Sequence, residues 1–139
     1  MPDLNRILSA KGPLTLASLP RGSLPLVLAD LARAAKRRAV FIAPDDAAMR
    51  AAAEAARFFA PEIEVLTFPA WDCLPYDRAS PALSVSAERL AALHRLQQPG
   101  ATQQLLVTTV NAMLQRVLTP FRVRESVREF TVGTRIGHE

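Results

Sequence analysis

"RAVFIAPDDAAMRAAAEAARFFA", residues 38–60, holds the pattern that decides the fold. Residues 38–44 form a short, unbroken apolar run, the signature of a central parallel strand buried on both faces. Two aspartates follow Pro44, and Asp45 or Asp46 is placed to cap a helix. From residue 47 to 60 the apolar positions take helical spacing, with Met49, Ala53, Ala56 and Phe59 or Ala60 on one stripe. A strand that runs directly into a capped helix is half of a βαβ unit.

Upstream, "SLPLVLADLARAAKR" (23–37) repeats the helical period through Leu24, Val27, Leu28 and Leu31. Ser23 is its expected N-cap, and Pro25 falls in the first turn, where a missing N–H costs little. Downstream, "EIEVLTF" (62–68) reads as a strand and "QQLLVTTV" (103–110) as another buried one. Between them lies a helix through "SAERLAALHRLQ" (86–97), with Ser80-Pro81, Ser84 and Ser86 as rival starts and Gly100 as its stop. "NAMLQRVL" (111–118) is a short helix ended by Pro120.

Strands alternating with helices across short loops predict an α/β fold, a parallel sheet flanked by helices and joined by right-handed crossovers. The leading architecture is the helicase or P-loop-NTPase layer. Residues 1–119 form that domain. Residues 120–139 are expected to be extended, with Val123, Val127, Phe130 and Val132 apolar and with Gly133 and Gly137 marking turns. That tail reads as the truncated beginning of a second domain, in a piece of something longer.

The 139 residues are half hydrophobic (50%) and 22% charged, which suits one compact domain and argues against disorder. No apolar run approaches the roughly 18 residues of a spanning helix, and the N-terminus lacks the apolar core of a secretory signal. A single cysteine excludes an internal disulfide framework and a thiolate zinc site. A cytoplasmic protein without a membrane contact is the expectation. The net charge of +4 permits weak attraction to nucleic acid. Its tightest cluster, Lys36-Arg37-Arg38, falls at a helix end, where cations complement the dipole.

A P-loop needs glycines for close backbone approach, a lysine for the β/γ-phosphates and a hydroxyl for Mg²⁺. "SLPRGSLP" (18–25) stands where one would lie, but its four defining places hold Ser18, Ser23, Leu24 and Pro25. Arg21 and Gly22 remain, shifted in register, so the nucleotide site reads as degenerate. Asp45 and Asp46 resemble a Walker B acid, and helix capping accounts for both. Cys73 has no His or Asn at a motif spacing. His94 sits beside Leu90 and Leu93 in a helix, and His138 lies in the tail. Asp72 and Asp77 form a possible carboxylate pair, or else bond turn amides in a proline-rich loop. Trp71, Tyr76 and Arg78 are either a stacking set for nucleic acid or anchors that pack a stiff loop onto the sheet.

The stretch "WDCLPYDRASPALSVSAERLAAL" (71–93) resembles the pattern W-[ED]-x-L-P-Y-D-x-x-S-P-x-x-x-x-x-S-x-R-L-x-x-L of the bacterial transcription-repair coupling factor family, near its N-terminus. Trp71, Asp72, Leu74, Pro75, Tyr76, Asp77, Ser80, Pro81, Arg89, Leu90 and Leu93 fall on it in register, and Ser86 stands one position ahead of the pattern's second serine, whose place Ala87 holds. "VFIAPD" (40–45) and "LLVTTVNAMLQRV" (105–117) resemble the flanking segments in the same order. The resemblance implies a non-catalytic module similar to the B component of the excinuclease, helicase-like, with a decayed nucleotide site and no cofactor of its own. Phe68 to Ser80 is too short for the lesion-probing hairpin of that component. The full-length family is implied to be an ATP- and Mg²⁺-dependent DNA translocase acting in nucleotide excision repair. It removes stalled RNA polymerase from double-stranded DNA and recruits the excinuclease A subunit, largely through parts outside this segment. Read from its residues alone, the chain also admits a divergent P-loop ATPase or a stand-alone DNA-binding module.

Overall fold

A computed structural model describes residues 3–35, 37–74, 78–98, 103–128 and 132–133. Helix α1 (Leu4–Ser9) is capped by Asp3, whose carboxylate accepts from the amides of Asn5 and Arg6. An irregular stretch and a 3₁₀ turn (Arg21–Ser23) lead into α2 (Leu24–Ala35). Then follow β1 (Ala39–Ala43), α3 (Asp46–Phe59), β2 (Glu64–Phe68) and α4 (Leu83–Gln97). The chain continues through β3 (Gln104–Thr109), α5 (Val110–Leu114) and α6 (Pro120–Ser126). The three strands form one parallel sheet in the order β1-β3-β2, with Ala43 opposite Thr109 and Phe68 opposite Thr108. The α/β class and the parallel sheet flanked by helices are as the sequence predicts.

Side chains alternate across a strand, so β2 and β3 divide between two cores, while β1 contributes to the first alone. Val65, Leu105 and Val107 face a core built with α2 and α3, in which Ala29, Ala32, Ala43, Ala53 and Ala56 are completely buried around Met49. Leu66 and Phe68 face a smaller core on the other side, with Ala92 of α4 and Ala112 of α5. The predicted stripe of α3 is correct, with Ala60 rather than Phe59 in the core. The stripe of α2 is rotated from the expected one. Pro25, Val27, Ala29 and Ala32 are buried, while Leu24, Leu28 and Leu31 sit half-buried at its margins. Alanine brings two helices close together, and in that contact it outranks the larger leucines.

Five local expectations are corrected. Among the described residues β1 is an edge strand and not a central one, pairing with β3 alone. Ala39, Phe41 and Ala43 turn toward α2 and α3, whereas Val40 is 54% and Ile42 47% exposed on the face those helices do not cover. β3 is the central strand and is buried along nearly its whole length. The hydroxyl of Ser23 donates to the Pro20 carbonyl at 2.8 Å, because the chain enters α2 through the 3₁₀ turn. α4 begins at Leu83, ahead of Ser84 and Ser86, and α5 ends at Leu114, short of the expected residue 118. Residues 120–126 are helical where an extended segment is expected. Thr119 caps α6, its hydroxyl accepting from the Arg122 amide, so Pro120 opens a helix from its first turn. Val123 is fully buried as α6 packs on α4.

Asp45 caps α3 as predicted, its Oδ1 accepting from the Ala48 amide at 2.7 Å. Gly133 has φ +98°, in keeping with its reading as a turn. Lys36, Gly100, Phe130, Gly137 and His138 lie outside the described residues.

Candidate functional site

Phe68, Pro69 and Trp71 gather at the carboxyl end of β2, the edge where open parallel sheets carry their ligands. Phe68 closes the strand, and Pro69, Ala70 and Trp71 leave it. From α4 the guanidinium of Arg89 enters between two rings. Its Cζ lies 4.1 Å from the Phe68 centroid and 4.2 Å from the Trp71 centroid. Arg89 is only 2% exposed. Its Nη1 donates to the Pro69 carbonyl at 2.5 Å and to Oε1 of Gln115 at 3.1 Å. The same Gln115 oxygen accepts from the Trp71 amide at 2.9 Å.

Arginine keeps its charge in a protein, and a cation held over aromatic faces away from water gains on the order of 2 kcal/mol. Burial pushes the Arg89 pKa down from the ordinary arginine value. Among the described residues no carboxylate pairs with it. The rings, one carbonyl and one amide oxygen supply its stabilisation instead.

Asp72 tethers the entrance to α4. Its two carboxylate oxygens accept from the Ala82 amide at 3.2 and 3.3 Å, one residue ahead of α4. Ala82 is the N-cap residue and no side chain caps the first turn, so the role expected of Ser80, Ser84 or Ser86 is taken by none of them. Thr108 ties the adjacent strand to the same corner, its hydroxyl donating to the Phe68 carbonyl at 2.7 Å. Ser86 lies one turn before Arg89 on α4, half-buried; Ser80 is exposed and Pro81 half-buried. Leu74 and Arg78 are exposed, while Cys73 is half-buried. Pro75, Tyr76 and Asp77 lie outside the described residues, so the pairing of Asp72 with Asp77 does too. His94 is half-buried and 3.0 Å from Gln98 Nε2, within the same helix turn.

At the opposite, amino end of the sheet, Glu64 receives Arg95 Nε of α4 at 2.5 Å and Gln104 Nε2 of β3 at 2.6 Å. The bonded Arg95 guanidinium holds the Glu64 carboxyl below its ordinary range against the opposing effect of burial, with Gln104 assisting.

Residues 18–25, where the sequence suggests a decayed phosphate loop, lie elsewhere, ahead of α2. Ser18 has φ +57°, Gly22 is exposed, Leu24 is half-buried and Pro25 is buried. A P-loop connects a strand to a helix, but residues 10–20 contain no strand. A Cβ added at Gly22 would meet nothing within 4 Å, so this glycine serves no close backbone approach. Beside it runs a groove of about 450 Å³ lined by Leu16, Leu19, Pro20 and Ser23, with no charged residue among its described walls.

In the sequence Arg89 stands out only as a place in a pattern, and Gln115 does not stand out at all. The apolar neighbours Leu90 and Leu93 are a usable signal for Arg89, since they place it on a helix that must bury one face. Nothing local marks Gln115, which follows Leu114 at the end of a short helix.

No protein-family model matches this chain. Among curated proteins, the transcription-repair-coupling factor of Haemophilus influenzae is 32% identical over 73 residues. Those residues are 52% of this chain and 6% of that protein, so the chain spans a small fraction of its relative's length. The likeness supports a distant relationship to a transcription-repair-coupling factor.

Proposed function

We propose that this chain is a non-catalytic N-terminal module of a transcription-repair coupling factor, similar to the B component of the excinuclease and with a degenerate nucleotide site. The observation that carries the reading is the local identity to the Haemophilus influenzae protein over half the chain. Two features of the fold agree with it. The signature residues Trp71, Asp72 and Arg89 act as packing and tethering groups where α4 meets the sheet, which suits a scaffold. The stretch at 18–25 lacks both the strand and the crowded glycine that a phosphate loop uses. In this reading the ATP- and Mg²⁺-dependent translocation belongs to other parts of a longer cytoplasmic protein. RNA polymerase, double-stranded DNA and the excinuclease A subunit are partners of that whole, with the A subunit met mainly through the domain that follows.

Two measurements test it. Titration calorimetry of the chain with Mg-ATP should give no heat of binding, and a saturable micromolar, Mg²⁺-dependent signal would overturn the non-catalytic assignment. A coupling factor whose own N-terminal module is replaced by these 139 residues should retain faster repair of transcribed than of untranscribed strands. Loss of that bias in a well-folded chimaera would overturn the family role.

A further inference from the structure

Trp71 stands as a wall between two hollows, and the one on the α4 side combines apolar walls with two cations. It is a cleft of about 200 Å³ whose lining includes Trp71, Arg89, Leu90, Leu93, Arg116 and Leu118. No acidic side chain lines it among the described residues. Buried charges are normally compensated by an opposite charge. Arg89 meets one carbonyl and one amide oxygen through Nη1 and has no carboxylate among the described residues. Arg116 is exposed at the rim. Past Trp71, Leu74 and Leu114 are largely exposed, and both line the second hollow, which also includes Arg116.

We propose that this cleft docks an acidic peptide segment of a partner protein. An apolar side chain of the segment enters between Trp71, Leu90 and Leu118, and an adjacent carboxylate meets Arg116 and Arg89. Charge complementarity selects the occupant, because the only charged side chains among the described lining residues are the cations Arg89 and Arg116. Size points the same way. The volume is below the roughly 300 Å³ at which cofactor and drug-sized sites begin, but it accepts one large aliphatic or aromatic side chain. A nucleic-acid strand would need open aromatic faces for stacking, and one face of the Trp71 ring already carries the Arg89 guanidinium.

The inference stands apart from the coupling-factor reading: Mg-ATP binding would overturn that reading and leave this cleft as it is. The test uses Trp71, the only tryptophan of the chain, as its reporter. The 139-residue chain is titrated at low salt with an end-blocked peptide, Gly-Leu-Glu-Phe-Glu-Gly, and with its counterpart carrying glutamine for both glutamates. The acidic peptide should produce a saturable change in emission, with the amide peptide roughly tenfold weaker. Arg116→Glu, a substitution at an exposed position, should weaken the acidic peptide by at least about tenfold while leaving the far-ultraviolet dichroism unchanged. Equal binding of the two peptides, no saturable change, or an unaffected Arg116→Glu variant would each overturn the proposal. So would an emission change that follows protein concentration alone, which marks a second copy as the occupant. Saturation by oligodeoxythymidine with no response to peptide would overturn it as well.

Discussion

The two sides of this sheet are held by different physics. On the α2/α3 side the contact is made of small apolar groups: five fully buried alanines surround Met49, Leu105 and Val107. On the α4 side the apolar core is small, and polar groups do much of the joining. Arg89 is clamped between Phe68 and Trp71, Gln115 holds both Arg89 and the Trp71 amide, and Glu64 is tied to Arg95 and Gln104 at the other end of the strands. The first side tolerates little change in volume, while the second depends on particular donors and acceptors. A domain with few large core residues on one face can thus secure a helix there by desolvating a single cation over aromatic rings.

The sharpest way to break the first side is Met49→Ala, which opens a cavity among alanines that cannot move inward to fill it. A loss of about 2–5 kcal/mol is expected, read as a lower urea midpoint. Trp71, on the other side of the sheet, should keep its native emission up to the transition. A loss below about 1 kcal/mol would mean that this core is loosely packed.

The matching test of the second side is Arg89→Leu. It removes the cation from between the rings, takes the Arg89 donor from the Pro69 carbonyl and leaves Gln115 Oε1 with the Trp71 amide alone, at an expected cost of about 2–3 kcal/mol. Here the Trp71 emission should change already in the native state. If Arg89→Leu is as stable as the parent with unchanged emission, the cation is a passenger, and the contrast between the two sides fails.

Glu64→Gln carries the smallest effect and is distinguished by its pH dependence. The folded pKa of Glu64 lies below its unfolded value of about 4.3. Its contribution is therefore fully present above that value and is lost as pH falls through the lower folded pKa. Glu64 and Arg95 are both partly exposed, so the parent should exceed the variant by only about 0.5–1 kcal/mol at neutral pH. That gap should close in acid. Urea midpoints of the pair at pH 7 and pH 3 check it, and a gap independent of pH would assign Glu64 a packing role only.

Much of this architecture is legible from local pattern. The runs at 39–43, 64–68 and 104–109 are strands because their apolar residues are continuous and too short to make helices. The α3 helix is readable because Asp45 caps it and Met49, Ala53 and Ala56 repeat on one face. The rest fails for identifiable reasons. β1 (AVFIA) is the more apolar strand, yet β3 (QLLVTT) takes the centre of the described sheet, because strand order is not a local property. The tether at the entrance to α4 comes from Asp72, beyond the window in which a local bond is sought. Pro120 is compatible with ending one helix and with opening the next, and Thr119 settles the second case only once its hydroxyl meets the Arg122 amide.

The candidate site divides in the same way. The rarity of Trp71 and the register of Asp72 and Arg89 mark the region from residue types alone. Composition also excludes a disulfide scaffold, since the chain has a single cysteine. What those residues do was decided by distance. Arg89 lies 18 positions from Trp71 and Gln115 26 from Arg89, and they meet only because β2, α4 and β3 return the chain to one corner of the sheet. Spacing along a chain reports which face of a helix or strand a residue occupies. Whether a cation on that face meets water, an acid or two aromatic rings depends on which elements pack against it, and that is set by contacts far apart in sequence.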